Sequence, residues 1–599
     1  MARCGEHGYG RTLAICLCGV ALRLALAVAG LQPKLESAME LVVPSTSWER
    51  AQEGLFLGSL GLSHYAGGVF TGSPLMLAAA ALCATLPSAI RGLAAAAMFA
   101  AFDVVSALLI RGICVRAVAV ESGDWEARLE EWMEEDTKSP RERHDSLSAE
   151  KPTDPGASAS VDTSTRVAEW ASLNLPDIAV AVYLLNPVLA VQCVALSGDV
   201  LGRVLPLAAL CAAGARRPGM TAAALAAAAC LWRFYAVALL IPASLALGRC
   251  STKQDGGGAK PSPAISNCSY YTSKTDDGKK GDRENGVPSE TAAKTVTRAA
   301  GAPGSCGGES RSEEARAGSR QRSMGINRED DRVGSNGANK EEERGSDVAG
   351  VDTCYDPRYF DFDFAAFLRL CGAFVAWLAI VLGGSWLGTS RSWAFLSAAA
   401  RDQLLCDNLT PNTGLYWYFF AEVFPRFRGF FRVLFLSQPY VYVLPATLRL
   451  GMFPEALAAL MLAIFGLFHP YPSLADPFIA GCLFLCYPRT SARMRLVMPV
   501  LMVGLVPSFL LPTMRHVWLQ AGTGNANFYY FQTIILNLMW SVFVLQFAAA
   551  LVKRRKALAL AFVKRRKAAE MAASAEKGVD GSGEGVGASD IIEQEDGPS

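Results

Sequence analysis

Long apolar runs with at most one charge are the feature that most constrains how this chain can fold. The longest include Leu13–Leu31, Phe364–Trp386 and Phe528–Val552. A helix needs about 20 mainly apolar residues to cross the hydrocarbon core of a bilayer, and these runs reach that length. Hydrophobic residues make up 51% of the 599 residues, although long polar segments dilute them. The runs therefore predict an all-α polytopic membrane protein.

The full set of apolar runs predicts about ten to twelve transmembrane helices. No small-x-small cleavage site follows the first run, so we interpret it as a retained helix rather than a signal peptide. Two spans, broken near Pro87, fit between Leu75 and Ala119. The other predicted spans are Pro176–Leu196, Leu201–Ala213, Thr221–Leu247, Val433–Leu448, Ala456–Phe468, Pro477–Cys486 and Leu496–Leu511.

A few residues inside these runs break the apolar pattern. Asn186-Pro187, in the sequence YLLNP, predicts a bend, because proline removes a helix hydrogen bond. Arg23, Asp103 and Arg233 are charges within predicted spans and so are candidate functional residues. The alternative for Arg23 is a structural role, facing a water-filled vestibule or a carboxylate such as Asp103.

Polar segments divide the chain. The stretch 42–74 is too polar to span and too apolar for a free loop, and it predicts an amphipathic helix at the lumenal interface. Two basic quartets, 553–556 and 564–567, predict a cytosolic C-terminus. The predicted regions are first spans in 1–119, a charged linker in 120–166, further spans in 167–247, a disordered insertion in 248–355, a C-terminal bundle in 356–552 and a basic, then acidic, cytosolic tail in 553–599.

Composition excludes several function classes. The formal net charge is +1, without the basic face that nucleic-acid binding requires. The 16 cysteines form no CxxC pair, and there are only 5 histidines. These spacings favour neither a zinc site nor a disulfide framework, so we expect no metal and no cofactor.

The stretch Asn408–Phe431 is the first candidate site. Its turn residues include Asn412, and an aromatic block follows that contains Tyr416, Trp417 and Phe419. Tyrosine and tryptophan settle where hydrocarbon meets head groups. With Glu422, Arg426 and Arg428 following, the stretch is suited to a polar head group. The alternative is an ordinary aromatic belt at the mouth of a span.

A second candidate lies in the connector that ends at Phe528. Asn525 and Asn527 directly precede a hydrophobic helix. An asparagine there can cap the helix or hydrogen-bond the hydroxyls and phosphate of a ligand. Capping accounts for one of the two residues and leaves the other available for a ligand.

Together these stretches resemble the PIG-U subunit family of the GPI transamidase. The resemblance is carried by Val42–Pro74, Tyr183–Pro187, Leu409–Glu422, Tyr471–Asp476 and His516–Phe528. The YLLNP segment and the amphipathic loop are also similar, more loosely, to membrane glycosyltransferases of the GT-C type. The resemblance therefore implies a GT-C-like bundle.

The resemblance also implies a function. It implies a non-catalytic, multi-pass subunit of the endoplasmic reticulum membrane that binds the GPI lipid, or the attachment signal, and presents it for transfer to proteins. Its partners would be the GPI glycolipid, membrane lipids and the other transamidase subunits, including a catalytic cysteine-protease-like one. The residues assigned to GPI binding are Asn412, Tyr416, Trp417, Phe419, Asn525, Asn527 and Phe528.

The competing hypothesis is an enzyme, a mannosyltransferase that uses a dolichol-phosphate sugar. Such enzymes place an acid in the first lumenal loop to deprotonate the acceptor. The acids available here are Glu36, Glu40, Glu49 and Glu53. Because Arg50 follows Glu49, a surface ion pair accounts for Glu49 equally well, and we assign no catalytic residue.

Overall fold

The computed structural model describes residues 4–121, 174–248 and 362–580, and within these ranges all regular secondary structure is helical. The α-helices are α1 (Cys4–Val28), α2 (Gln32–Glu36), α3 (Trp48–Ser59), α4 (Pro74–Ala84), α5 (Ser88–Glu121), α6 (Asn174–Leu184), α7 (Pro187–Val194), α8 (Gly198–Gly202), α9 (Val204–Gly214), α10 (Pro218–Leu231), α11 (Leu240–Gly248), α12 (Phe364–Gly388), α13 (Ala394–Ala400), α14 (Tyr416–Glu422), α15 (Pro425–Val441), α16 (Val443–Leu450), α17 (Pro454–Leu467), α18 (Asp476–Leu485), α19 (Pro488–Ser491), α20 (Val497–Arg515) and α21 (Ala526–Asp580).

Membrane spans account for the longest of these helices. Five helices among the described residues are long and apolar enough to cross a bilayer: α1, α5, α12, α20 and the first part of α21. The bent pair α6–α7 makes a sixth if it is one span. Many large side chains of these helices are exposed, including Val375, Ile380 and Phe509, as expected where lipid surrounds the protein.

The expected ten to twelve spans are met only in part, because several apolar runs form short helices. Five apolar helical segments have 10–17 residues, among them α4, α10, α17 and α18. At 1.5 Å per residue such a helix does not by itself cross a core about 30 Å thick. Length and composition alone therefore support five or six spans in the described residues.

Capping and proline residues divide the helices where the sequence predicts. The Ser73 hydroxyl accepts from the backbone N–H of Met76 at 3.4 Å, and Pro74 begins α4. Asn186 Oδ1 accepts from the N–H of Val188 at 2.9 Å, and α6 and α7 meet at a bend of 51°. The predicted bend at Asn186-Pro187 and the predicted break near Pro87 are confirmed, because a helix ends at each of them. A helix is also confirmed within 42–74, where α3 forms.

Two predicted spans are wrong. Thr221–Leu247 is not one helix: α10 ends at Leu231, and a 3₁₀ helix, Phe234–Leu239, precedes α11. Arg233 lies in this break because its guanidinium pairs with carboxylates of other segments. Val433–Leu448 is divided at Tyr442 between α15 and α16, and α15 begins eight residues earlier than the predicted span, at Pro425.

Arg23 and Asp103 form a buried ion pair between α1 and α5. The Nη2–Oδ2 distance is 2.5 Å, and both side chains are almost completely buried. Asp103 also accepts from the Tyr183 hydroxyl at 2.7 Å, and Arg23 donates to the carbonyl of Leu184 at 2.8 Å. The structural alternative for Arg23, pairing with Asp103, is therefore confirmed, and these contacts join α1, α5 and α6.

The basic end of α21 is anchored inside the bundle. The Arg554 side chain is 2% exposed, lies 2.5 Å from the Glu121 carboxylate at the end of α5, and lies over the Phe453 ring. One residue of the first basic quartet is therefore buried in the bundle rather than exposed at the end of the span. Roughly 40 Å of helix separate Arg554 from Ala526, so the two ends of the span lie on opposite sides of the bilayer. The cytosolic C-terminus predicted from the basic quartets would place Ala526 at the lumenal end of the span.

Several predictions lie outside the described residues. These concern most of the charged linker 120–166, the insertion 248–355 apart from Gly248, and the acidic part of the tail beyond Asp580.

Candidate functional site

Two asparagine turns shape the stretch that leads into α14. Asn408 Oδ1 accepts from the N–H of Thr410 at 3.0 Å, and Asn412 Oδ1 accepts from the N–H of Gly414 at 2.7 Å. Gly414 packs against Pro472, because a Cβ at position 414 would lie 2.7 Å from the proline ring. Asn412 is 0% exposed, so its amide holds the turn instead of facing a ligand.

The second stretch ends in a helix cap. Asn525 Oδ1 accepts from the backbone N–H groups of Asn527 at 3.0 Å and Phe528 at 3.4 Å, and α21 begins at Ala526. Capping thus accounts for the side-chain oxygen of Asn525, as the sequence predicts for one of the two asparagines. The Asn527 side chain is exposed, and Phe528 is 53% exposed beside it.

The two stretches meet through tyrosine side chains. The hydroxyl of Tyr418 donates to Asn527 Oδ1. The rings of Tyr418 and Tyr530 stack with centroids 4.5 Å apart, and the Tyr530 hydroxyl donates to the carbonyl of Leu415 at 3.0 Å. The aromatic block and the paired asparagines, which are assigned to GPI binding as separate stretches, therefore lie next to each other in the structure.

Trp417 lies beneath this contact, in an aromatic cluster. Its ring stacks on Trp518 with centroids 6.4 Å apart and makes edge contacts with Tyr529 and Tyr530. Trp417 and Tyr529 are buried, and neither Trp417 Nε1 nor the Tyr529 hydroxyl has a hydrogen-bond partner among the described residues. We call Trp417, Tyr418, Trp518, Asn525, Asn527, Phe528, Tyr529 and Tyr530 the lumenal rim.

Tyr416 and Phe419 lie in a different cluster from the lumenal rim. Tyr416 is buried and stacks on Phe435 of α15 with centroids 5.4 Å apart, and Phe419 makes an edge contact with Phe431. Residues three apart share one side of a helix, and Trp417 faces another side. The structure therefore places Tyr416, Phe419 and the buried Asn412 apart from the lumenal rim, and the assignment of all seven residues to GPI binding stays a prediction.

The structure adds four residues that the sequence argument did not select: Tyr418, Trp518, Tyr529 and Tyr530. Tyr418, Trp518 and Tyr530 supply the contacts that join α14 to α21. Tyr418 lies inside the aromatic block, and Tyr530 follows Phe528 by two residues. The high density of aromatic residues next to the asparagines could therefore have identified both tyrosines from the sequence.

Charged residues occupy separate positions around the rim. Glu422 and Arg426 are exposed, whereas Arg428 is half-buried and its Nε donates to the carbonyl of Val423 at 3.3 Å. Arg515 Nε lies 3.2 Å from the buried Glu40 carboxylate. Burial raises the pKa of Glu40, and the nearby Arg515 opposes that effect. Glu49, one of the acids considered for the competing mannosyltransferase hypothesis, is exposed in the first turn of α3.

The described residues contain no group of three or more His, Cys, Asp or Glu side chains that could hold a metal ion. The side chains that the rim presents are aromatic rings, two carboxamides and an exposed phenylalanine at the mouth of a span. Such a surface can hold an amphiphile by its apolar part and hydrogen-bond its polar part. Fold and site together define a multi-pass α-helical membrane protein with a rim of aromatic rings and amides at the mouth of a span.

Comparison with known proteins narrows this class to one family. The family model of the GPI transamidase subunit PIG-U matches residues 17–296 and 360–536. The chain belongs to this family, which confirms the resemblance seen in its motifs.

Individual relatives agree with the family model. The chain is 35% identical over 188 residues to the GPI transamidase component GAB1 homolog of Schizosaccharomyces pombe, covering 31% of this chain and 45% of the relative. It is 31% identical over 163 residues to the GPI-anchor transamidase component PIGU of Mus musculus, covering 27% and 38%. It is 31% identical over 201 residues to GAB1 of Saccharomyces cerevisiae, covering 30% and 48%. Each alignment spans less than half of the relative's length.

Proposed function

We propose that this chain is a non-catalytic subunit of a GPI transamidase in the endoplasmic reticulum membrane, where it binds the GPI lipid and presents it for transfer to proteins. Its partners are the other transamidase subunits, including a catalytic cysteine-protease-like one, together with GPI and membrane lipids. Membership of the PIG-U family supports the assignment to the complex.

The contact between Tyr418 and Asn527 is the observation that carries the lipid-binding proposal. It places an aromatic block and an amide pair on one rim at the mouth of a span. A GPI has acyl chains, a phosphoinositol and a glycan. Exposed Phe528 offers apolar contact to the chains, and the Nδ2 groups of Asn525 and Asn527 offer donors to phosphate. Asn527 Oδ1, which accepts one hydrogen bond from Tyr418, can accept a second from a ligand hydroxyl.

We also propose a GT-C-like bundle in which the short apolar helices lie at membrane depth. Helices α4, α10, α17 and α18 pack among the long spans; α17 is buried along most of its length, and the second half of α18 packs into the same core. Counting these short segments as partial or re-entrant spans brings the total into the expected range of about ten to twelve.

Alanine substitution of the amides tests the lipid-binding proposal. We expect Asn527→Ala to lower GPI attachment at limiting GPI while the transamidase subunits still co-purify with the chain, because its side chain does not cap α21. Asn525→Ala also removes the cap, so it should lower thermal stability as well, by about 1 kcal/mol.

Gln52→Ala, at an exposed position of α3, is the matched control and should leave attachment unchanged. Normal attachment by the Asn525→Ala/Asn527→Ala double variant at limiting GPI would disprove the lipid site. Loss of every other transamidase subunit from the purified wild-type chain would disprove the assignment to the complex.

A further inference from the structure

A polar cavity of about 50 Å³ is lined in part by the connector between α17 and α18, residues 468–475. Its walls come from the first polar loop, from the break between α10 and α11, from the segment after α13 and from the connector itself. The polar side chains that matter most are Asp199, Arg233, Asp402 and His469. Since one water needs about 10–15 Å³ of such space, the cavity has room for several water-sized polar groups. It contains none of the residues assigned to lipid binding.

His469 offers this cavity a hydrogen-bond donor. Its Nδ1 accepts from the backbone N–H of Tyr471 at 3.1 Å, so in the neutral ring the hydrogen is on Nε2. Burial and the nearby Arg233 lower the pKa of His469 well below its usual value, which keeps the ring neutral. The side chain is 8% exposed, and Nε2 has no hydrogen-bond partner among the described residues.

Asp199 offers an acceptor. Its Oδ1 takes a hydrogen bond from Trp232 Nε1 at 3.2 Å and pairs with Arg233 at 3.1 Å. Its Oδ2 has no partner within the described part of the chain, although the residue is only 4% exposed. The guanidinium of Arg233 is shared with Asp476 at 3.3 Å, so it is already engaged by two carboxylates.

Asp402 adds a second acceptor to the same wall. The Thr71 hydroxyl donates to its Oδ2 at 3.3 Å. Burial raises the pKa of Asp402 to about 6, so at neutral pH the group is mostly a carboxylate. The cavity lining therefore has excess negative charge together with one free N–H donor.

Two buried carboxylates beside one free N–H donor favour some small ligands over others. A phosphate would be repelled by the carboxylates of Asp199 and Asp402. An ammonium group would satisfy those carboxylates but would leave the His469 donor buried and unpaired, which is costly. A hydroxyl group both donates and accepts, so adjacent hydroxyls on one ring can satisfy the carboxylates and the histidine together. Trp232, Phe395 and Tyr471 supply apolar wall for the carbon side of such a ring.

We propose that the cavity is a carbohydrate subsite that takes the hydroxyls at one edge of a sugar or cyclitol ring, bound through His469, Asp199 and Asp402. The subsite stands on its own geometry; only its assignment to the glycan of a GPI rests on the proposed function. The connector links it to the lumenal rim, since the Tyr471 hydroxyl donates to the Asn408 carbonyl at 2.7 Å and the Thr413 hydroxyl to the Pro472 carbonyl at 2.8 Å.

Two substitutions of His469 separate a ligand role from a structural one. His469→Asn keeps an acceptor near the Nδ1 position for the Tyr471 N–H and removes the Nε2 donor. His469→Gln keeps a donor near the Nε2 position and loses the Nδ1 acceptor. We expect His469→Asn to weaken sugar binding about tenfold and His469→Gln to retain binding within about threefold. A merely structural role would reverse this order.

The measurement is a titration of the full chain, purified with its associated subunits in nanodiscs, followed by saturation-transfer NMR. The neutral probes are methyl α-mannopyranoside and myo-inositol, and the charged probes are ethanolamine and inorganic phosphate. Glu49→Gln, at an exposed acid outside the cavity, is the control and should bind like the wild type. Asp402→Asn is the second binding variant, used if His469→Asn fails to fold.

Saturable binding of a neutral probe that is lost in His469→Asn, or in Asp402→Asn, supports the proposal. It is overturned if ethanolamine or phosphate binds in place of the sugars, if folded protein binds no neutral probe, or if the variants bind equally well. Two further ligands then identify the source: preference for a phosphoinositol glycan indicates the glycolipid, and preference for a short polyprenyl-phosphate mannose indicates a sugar donor. If no neutral probe binds, the carbohydrate subsite is disproved, but the expected loss of GPI attachment in Asn527→Ala is unaffected, because Asn527 lies outside the cavity.

Discussion

The hydroxyl of Tyr418 donates a hydrogen bond to the side chain of Asn527, across a separation of 109 residues. This contact joins the start of α14 to the start of α21. It is reinforced by the stacked rings of Tyr418 and Tyr530. The lumenal rim therefore depends on two segments that are distant in sequence, and perturbing either segment should affect the other.

Tyr418→Phe tests this coupling, because it removes the hydrogen bond and keeps the stacked ring. We expect a small fall in the unfolding temperature and reduced GPI attachment at limiting GPI. In a double-mutant cycle, Tyr418→Phe and Asn527→Ala should be non-additive. Tyr442→Phe, at an exposed position, is the control. Strict additivity in both readouts would show that the contact has no energetic role.

Arg23→Met should destabilise the protein by about 3–5 kcal/mol, because it leaves the Asp103 carboxylate buried without its cation. Thermal unfolding in detergent is the measurement. The double variant Arg23→Met/Asp103→Leu should recover much of the loss, since it removes both charges. Arg11→Met, at an exposed residue of α1, should change little. A double variant as unstable as the single one would contradict the uncompensated-charge explanation.

Arg554→Ala should cost a similar amount, about 3–5 kcal/mol, because the buried Glu121 carboxylate would lose the guanidinium that pairs with it. Lys553 directly precedes Arg554 in the same basic quartet, but its side chain is exposed. Lys553→Ala should therefore cost less than about 0.5 kcal/mol. Thermal unfolding of the two variants provides the comparison. Equal effects would indicate that the quartet acts only through its net charge.

Asp402→Asn should change how stability depends on pH. Burial raises the pKa of Asp402 from 3.8 to about 6, so between these values the folded state binds more protons than the unfolded state. Stability therefore falls as pH rises from about 4 to 6, by about 3 kcal/mol in total, and stays lower above pH 6. Thr71, Ser45 and Arg50 face the carboxylate and favour its charged form, and Asp407 opposes them.

Asp402→Asn removes this ionisation, so the variant should be more stable than the wild type at pH 7.5 and should lose the slope between pH 4 and 6. Unfolding temperatures measured from pH 4 to 8 check this, with Asp407→Asn as the control. An unchanged slope in Asp402→Asn would assign the pH dependence to other groups.

Gly414→Ala should destabilise the protein by about 1–3 kcal/mol, because the new methyl group would lie 2.7 Å from Pro472 Cδ and 2.8 Å from Asn412 Oδ1. Gly429→Ala in α15 is the matched control, since a Cβ there meets nothing within 4 Å. That substitution should be neutral or stabilising by up to about 1 kcal/mol, as expected in a helix. The unfolding temperature should therefore fall in Gly414→Ala and stay level or rise in Gly429→Ala, and equal shifts would show that the contact with Pro472 is not tight.

The sequence by itself determined the class of protein, most helix boundaries and the family. Apolar length is a local property, and so are the effects of Asn186-Pro187 and of the Asn525 cap, because they act on backbone groups within a few residues. Tertiary structure decided which charges pair: Arg233 interrupts a predicted span because Asp199 and Asp476 converge on it from distant segments. It also decided the membership of the rim, since neighbouring side chains of α14 face different sides and only packing against α15 and α21 separates Tyr416 from Trp417.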